Sequence, residues 1–206
     1  MNFLKIINNI GEYITQETLD QCFEYGVLNT VDKVKCGNGF TTAFIKNPVP
    51  PGKVNLIIVP NKGILEQKED AYRRFQLKTP NQLAFMYADT DDRVFHNANF
   101  IMIIADTFIL KRSYFYAMRH RIDRILLDEM HSIEQQSTFR HNLRGLITII
   151  NRDYIRTCSV SSVTASPNDG SEVTIKIQNE FIPKVTWRVT RNADFVIDNM
   201  RKHIIN

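Results

Sequence analysis

The sequence predicts an α/β domain built on a mostly parallel central sheet, and three observations carry that expectation. Short apolar runs rich in β-branched residues recur at 31–35, 54–59, 83–87, 100–104, 125–127 and 158–163. Some of them, VNLIIVP and RILLDE in particular, place apolar residues at consecutive positions. Strands covered on both faces read this way, and parallel sheets are covered on both faces. Helical stretches at 63–75, 113–120, 132–151 and 193–205 lie between and after the runs, which gives the alternation of an α/β domain.

Taken in order, residues 1–29 read as an N-terminal helical segment. MNFLKIINNIGEY is amphipathic but too short and too interrupted by asparagine for a signal peptide. Residues 30–190 form the main domain. Within its last part, 172–178 (EVTIKIQ) and 184–190 (KVTWRVT) alternate apolar and polar residues, as strands with one wet face do, either as a peripheral hairpin or as late strands of the sheet. Asn168-Asp169-Gly170 marks a turn before them. In that setting Trp187 reads as half-buried packing. Residues 191–206 read as a C-terminal helix leading toward a second domain.

Composition narrows the function classes. The 206 residues are 43% hydrophobic and 23% charged, which suits one domain with a full core and excludes collagenous, coiled-coil or disordered chains. The 26 Lys+Arg against 22 Asp+Glu give a net charge of +4, which permits a polyanionic partner without requiring one. Cys22, Cys36 and Cys158 are odd in number and lack CxxC spacing, which argues against a disulfide framework and a zinc site and for a reducing, cytoplasmic compartment. His96, His120, His141 and His203 show no ligand spacing, so no structural metal is expected. No run approaches the roughly 18 to 20 apolar residues of a spanning helix, so no membrane is expected either.

Three segments fall at the carboxyl ends of expected strands, where open α/β sheets place ligands. The first is Gly37-Asn38-Gly39-Phe40-Thr41-Thr42, a glycine-bearing turn into a helix. Its backbone can approach phosphate and its threonine hydroxyl can reach Mg²⁺, though a plain strand-to-helix turn has the same look. The second, Asp128-Glu129-Met130-His131, ends an apolar strand in adjacent carboxylates. One acid can hold Mg²⁺ while its neighbour polarises water, and a helix N-terminus is the plainer alternative. The third, Thr164-Ala165-Ser166, comes after another strand and on its own is a turn.

In this order the segments resemble the first RecA-like domain of superfamily 2 helicases and translocases of the DEAD/DEAH kind, over about residues 30–190. Gly37 to Thr42 look like the Walker A loop and Asp128-Glu129-Met130-His131 like a DExH box. The resemblance implies ATP on Gly37, Asn38, Gly39, Phe40, Thr41 and Thr42, with Mg²⁺ on Thr41 and Asp128. It implies catalysis through Asp128, Glu129 and His131, His131 linking the nucleotide to a coupling motif at Thr164 and Ser166. Val59-Pro60-Asn61-Lys62-Gly63 resembles the motif that touches the nucleic-acid backbone, which implies DNA or RNA contacts at Pro60, Lys62 and Gly63, with Thr107 in a similar loop. Thr107 also reads as a cap for the next helix.

The sequence departs from the family in two ways. Phe40 stands where the Walker A lysine neutralises the β- and γ-phosphates, and Lys35, Lys46 and Lys53 are the candidate substitutes. The chain also has room for one RecA-like domain, whereas such motors bind ATP between two, so a second RecA-like domain or a protein partner is implied. These departures point to a degenerate or partner-dependent helicase module with weak or absent hydrolysis in isolation. The alternatives are a non-catalytic assembly or nucleic-acid-binding scaffold, and an active ATPase with an atypical phosphate loop. Segment 113–121, SYFYAMRHR, either stacks bases and neutralises phosphates or is an amphipathic helix with its aromatics in the core.

Overall fold

The structure, a computed structural model, describes residues 2–9, 13–32, 39–74, 79–129, 132, 144–164 and 184–191. Its strands are β1 (Asn2–Asn9), β2 (Leu28–Asp32), β3 (Val54–Val59), β4 (Leu83–Met86), β5 (Phe100–Ile104), β6 (Ile122–Leu127), β7 (Ser159–Thr164) and β8 (Lys184–Arg191). They form one sheet in the order β1-β8-β2-β7-β6-β3-β5-β4. Every pairing in it is parallel. The helices are α1 (Gln16–Gln21), α2 (Phe40–Lys46), α3 (Lys62–Arg74), α4 (Ala105–Leu110), α5 (Arg112–Ala117) and α6 (Arg144–Asp153).

The consecutive apolar residues of β3 and β5 are all buried, because successive side chains feed two different cores. Leu56, Ile58, Ile101, Ile103, Ile125 and Leu127 face one layer, which they share with Phe108 of α4, Phe115 of α5 and Ile150 of α6. Ile57, Val59, Phe100, Met102 and Leu126 face the other, with Leu19 of α1, Phe40 and Phe44 of α2 and Leu65 of α3. Helices on both faces hold the sheet between two apolar layers. A buried amide fastens one of its connections: Asn81, 6% exposed, donates to the carbonyls of Ile45 at 2.8 Å and Asn47 at 2.7 Å and accepts from the Val49 N–H at 3.2 Å.

Several boundaries differ from the sequence expectations. Residues 2–9 are strand rather than helix, and only Gln16–Gln21 is helical among the described residues before 30. β1 is completed by its parallel partner β8, with Asn2 opposite Lys184, and that partner is too distant in sequence for any local pattern to reveal. β8 is a late sheet strand inserted between β1 and β2, which decides between the two alternatives for 184–190. α4 continues directly from β5 with Ile104 at its N-cap, so Thr107 lies inside that helix and caps nothing. The stretch at 113–120 divides into α5 and a 3₁₀ turn over Arg119–Arg121. Segments 172–178 and 193–205 lie outside the described residues.

Cys22 and Cys158 are both free and buried, and burial pushes each thiol up to about 12. At neutral pH neither carries an appreciable fraction of reactive thiolate. Among the described residues, no helix is long and apolar enough to cross a membrane.

Candidate functional site

A fully parallel sheet gathers the carboxyl ends of its strands along one edge. Thr41 of α2 and Asp128 meet there, although 87 positions separate them in the chain. Asp128 comes immediately after β6 and its N–H donates to the Ile58 carbonyl at 2.9 Å, which extends the strand ladder by one residue and fixes the carboxylate at the edge. Gly39 brings the chain into α2 with φ 78°, in the left-handed region. A Cβ at Gly39 would also come 3.2 Å from the Tyr13 ring, so both backbone and space call for glycine there.

The Asp128 carboxylate is 1% exposed and well supplied with donors. Its Oδ2 accepts from the Thr41 hydroxyl at 3.0 Å and lies 2.7 Å from the Lys68 Nζ. Its Oδ1 accepts from the Glu129 N–H at 3.1 Å. A buried carboxylate without a cation costs several kcal/mol, and here the ammonium of α3 provides the compensation. Glu129 adopts φ 51°, a left-handed conformation that costs a non-glycine residue roughly 1–2 kcal/mol. Such outliers concentrate at functional sites.

Lys68 is the site residue that sequence reasoning missed. Leu65, Lys68, Glu69 and Tyr72 recur at helical spacing along α3, and Leu65 is fully buried, so the stripe that covers the sheet carries two charged residues. Charges on a covered stripe need partners, and that was the available signal. Glu69 finds its own in the Tyr87 hydroxyl at 2.7 Å and the Arg73 guanidinium at 2.6 Å. Burial alone would raise the Glu69 carboxyl, but the Tyr87 and Arg73 hydrogen bonds and the Arg73 charge together hold it below its ordinary value. Burial and the neighbouring Glu69 push the Tyr87 hydroxyl up.

The other expected residues are dispersed around this edge. Phe40 is 1% exposed and packs in the apolar layer with Phe44 and Leu19. Thr42 is exposed, and Thr164 ends β7, which neighbours β6 at the same edge. Pro60 is buried, whereas Lys62 and Gly63 are exposed at the start of α3, where the Asn61 side chain accepts from the Ile64 N–H at 3.0 Å. Lys62 lies 3.5 Å from Glu66. Thr107 shares the edge but is only 3% exposed, so it is not presented beside Lys62 and Gly63. Of the candidate substitute cations, Lys46 is exposed in the last turn of α2 and Lys53 donates to the His120 carbonyl from the opposite edge. Lys35, Gly37, Asn38, His131 and Ser166 lie outside the described residues.

The donor set suits Mg²⁺. Thr41 Oγ1 and Asp128 Oδ2 are hard oxygens 3.0 Å apart, the separation of adjacent corners of an octahedron with bonds of about 2.1 Å. No cluster of three His, Cys, Asp or Glu residues able to hold a metal occurs among the described residues.

No protein-family model matches the sequence, and no curated protein sequence matches it. Solved structures do resemble it. The helicase domain of Pyrococcus furiosus Hef superposes with a TM-score of 0.58 at 17% identity, over 86% of this chain and 38% of that one. The DEAD-box helicase Mss116, bound to ssRNA and UDP-BeF, gives 0.55 at 15% over 90% of this chain and 47% of its own. Mycobacterium smegmatis Lhr, bound to ssDNA and AMP-PNP, gives 0.54 at 14% over 81% and 24%. The fold is that of a RecA-like helicase domain. This chain spans less than half the length of each of these helicases. At the carboxyl edge of this fold Thr41 stands against Asp128.

Proposed function

We propose that this RecA-like domain is a degenerate or partner-dependent helicase module that binds ATP with Mg²⁺ at the Thr41–Asp128 edge and hydrolyses it slowly, if at all, as an isolated chain. The observation that carries the reading is the 3.0 Å contact between the Thr41 hydroxyl and the Asp128 carboxylate. In this reading the turn from Gly37 to Thr42 lies against the phosphates. Thr41 and Asp128 hold the metal, whose charge offsets that of the phosphates. Glu129, next to Asp128 and pinned in an unusual backbone conformation, orients the attacking water. His131, Thr164 and Ser166 relay the state of the nucleotide to the nucleic-acid face, where Pro60, Lys62 and Gly63 meet a DNA or RNA backbone. A second RecA-like domain or a protein partner completes the far side of the nucleotide.

Slow turnover is the consequence of Phe40, whose ring belongs to the core and brings no charge to the phosphates. Removing one well-placed electrostatic partner typically costs about 3 to 4 kcal/mol of transition-state stabilisation. The isolated chain is therefore expected to release phosphate from ATP barely above background, and Glu129→Gln to change that rate little. Turnover at the 1 to 100 per second typical of phosphoryl-transfer enzymes, roughly, and lost in Glu129→Gln, would replace this reading with an active ATPase. The buried Phe40 also suits the scaffold reading, in which the fold serves assembly alone, and nucleotide binding separates the two.

A further inference from the structure

A nucleotide at this edge needs a cation to balance its phosphates, and among the described residues α3 brings one to Asp128. We propose that Lys68, delivered from α3, neutralises the phosphates of bound nucleotide, which supports binding without the transition-state contact that a lysine at position 40 would make. The inference rests on the proposed nucleotide site and adds a residue to it.

Three observations converge on Lys68. Its Nζ lies 2.7 Å from Asp128 Oδ2, the same oxygen that receives the Thr41 hydroxyl, so the ammonium already stands where metal and phosphate would meet the protein. Its side chain is 23% exposed, which leaves an unbranched four-carbon stem an open side along which to move its charge. Three other cations among the described residues are directed elsewhere: Lys62 toward Glu66, Arg73 onto Glu69, and Lys53 onto the His120 carbonyl at the opposite edge.

Charge balance gives the pairing its direction. Asp128 is buried and cannot lose its counterion without a large penalty. When Asp128 takes a divalent cation brought with nucleotide, it no longer needs the ammonium, and Lys68 is released to the phosphate oxygens. Every charge keeps a partner through the exchange. Without nucleotide, the ammonium stays paired with the buried carboxylate.

The test uses purified full chain and fluorescent ADP. Lys68→Gln alone removes the ammonium paired with the buried Asp128 and is expected to melt lower. The decisive pair is therefore Asp128→Asn against Asp128→Asn/Lys68→Gln, in which no buried carboxylate is stranded. In EDTA, Asp128→Asn is expected to bind ADP about tenfold or more tighter than wild type, because its ammonium is freed and a repelling carboxylate is gone. The double variant is expected to lose about ten- to a hundredfold, the worth of one charge-assisted hydrogen bond. Adenosine, which has no phosphate, should bind both alike. Equal ADP affinity in the two variants would overturn the role of Lys68 while leaving the nucleotide site standing. No ADP binding by wild type or either variant, with or without Mg²⁺, would overturn the inference and the nucleotide reading together.

Discussion

In the proposed function, position 40 sets how much nucleotide chemistry this edge can do. Phe40 opens α2 yet is 1% exposed, packed in the layer that also holds Phe44 and Leu19. A lysine there would remove a buried ring and strand an ammonium among apolar neighbours. Deleting a buried Phe side chain costs about 3 to 5 kcal/mol. Phe40→Lys is therefore expected to lower the urea-unfolding free energy by at least about 3 kcal/mol. A variant as stable as wild type would place the position-40 side chain at the edge instead of in the core. That Thr41 and Asp128 share an edge was legible from sequence because each follows an expected strand of a parallel sheet. Lys68 was not, because its partner is 60 positions away and only the fold brings them together. The left-handed Glu129 was equally hidden, since no residue type announces a positive φ except glycine and asparagine.

Among the elements, those with the densest apolar runs were the most legible. β3 and β5 match their expected bounds, because six and five consecutive buried positions leave no other reading between turn signals. β1 is strand where the sequence suggests helix: NFLKIINN pairs adjacent apolar residues, a pattern that fits neither period cleanly over eight positions. Its strand character comes from β8, near the other end of the chain. α4 leaves little trace in the sequence because ADTFIL continues from β5 without a break, and a six-residue helix offers less than two turns of periodicity. α3 carries the element-scale prediction. Its first residue, Lys62, is exposed next to Gly63, the face proposed to meet nucleic acid. Single-strand affinity measured by anisotropy is expected to fall with salt at a slope of about −0.7 per neutralised phosphate, and Lys62→Glu to weaken binding and flatten that slope. Salt-independent binding, or an unaffected variant, would exclude this face and favour a protein-binding scaffold.

For the whole molecule, one fully parallel sheet explains how residues as distant in the chain as Thr41 and Asp128 come to one edge. All the described strands run the same way, so their carboxyl ends lie along one edge. The chain covers 38%, 47% and 24% of three similar helicase chains, and the proposed function assigns the far wall of the nucleotide site to a second domain or a partner. The central claim is that Thr41 and Asp128 hold a metal-bound nucleotide at this edge. It is tested most directly by titrating fluorescent ADP into wild type and Thr41→Val, each with and without Mg²⁺. The account predicts that Mg²⁺ tightens wild-type binding about tenfold or more, the scale of one charge-assisted contact, and that Thr41→Val removes that gain while leaving the fold intact. Wild-type affinity that ignores both Mg²⁺ and Thr41, or no ADP binding at all, would contradict it.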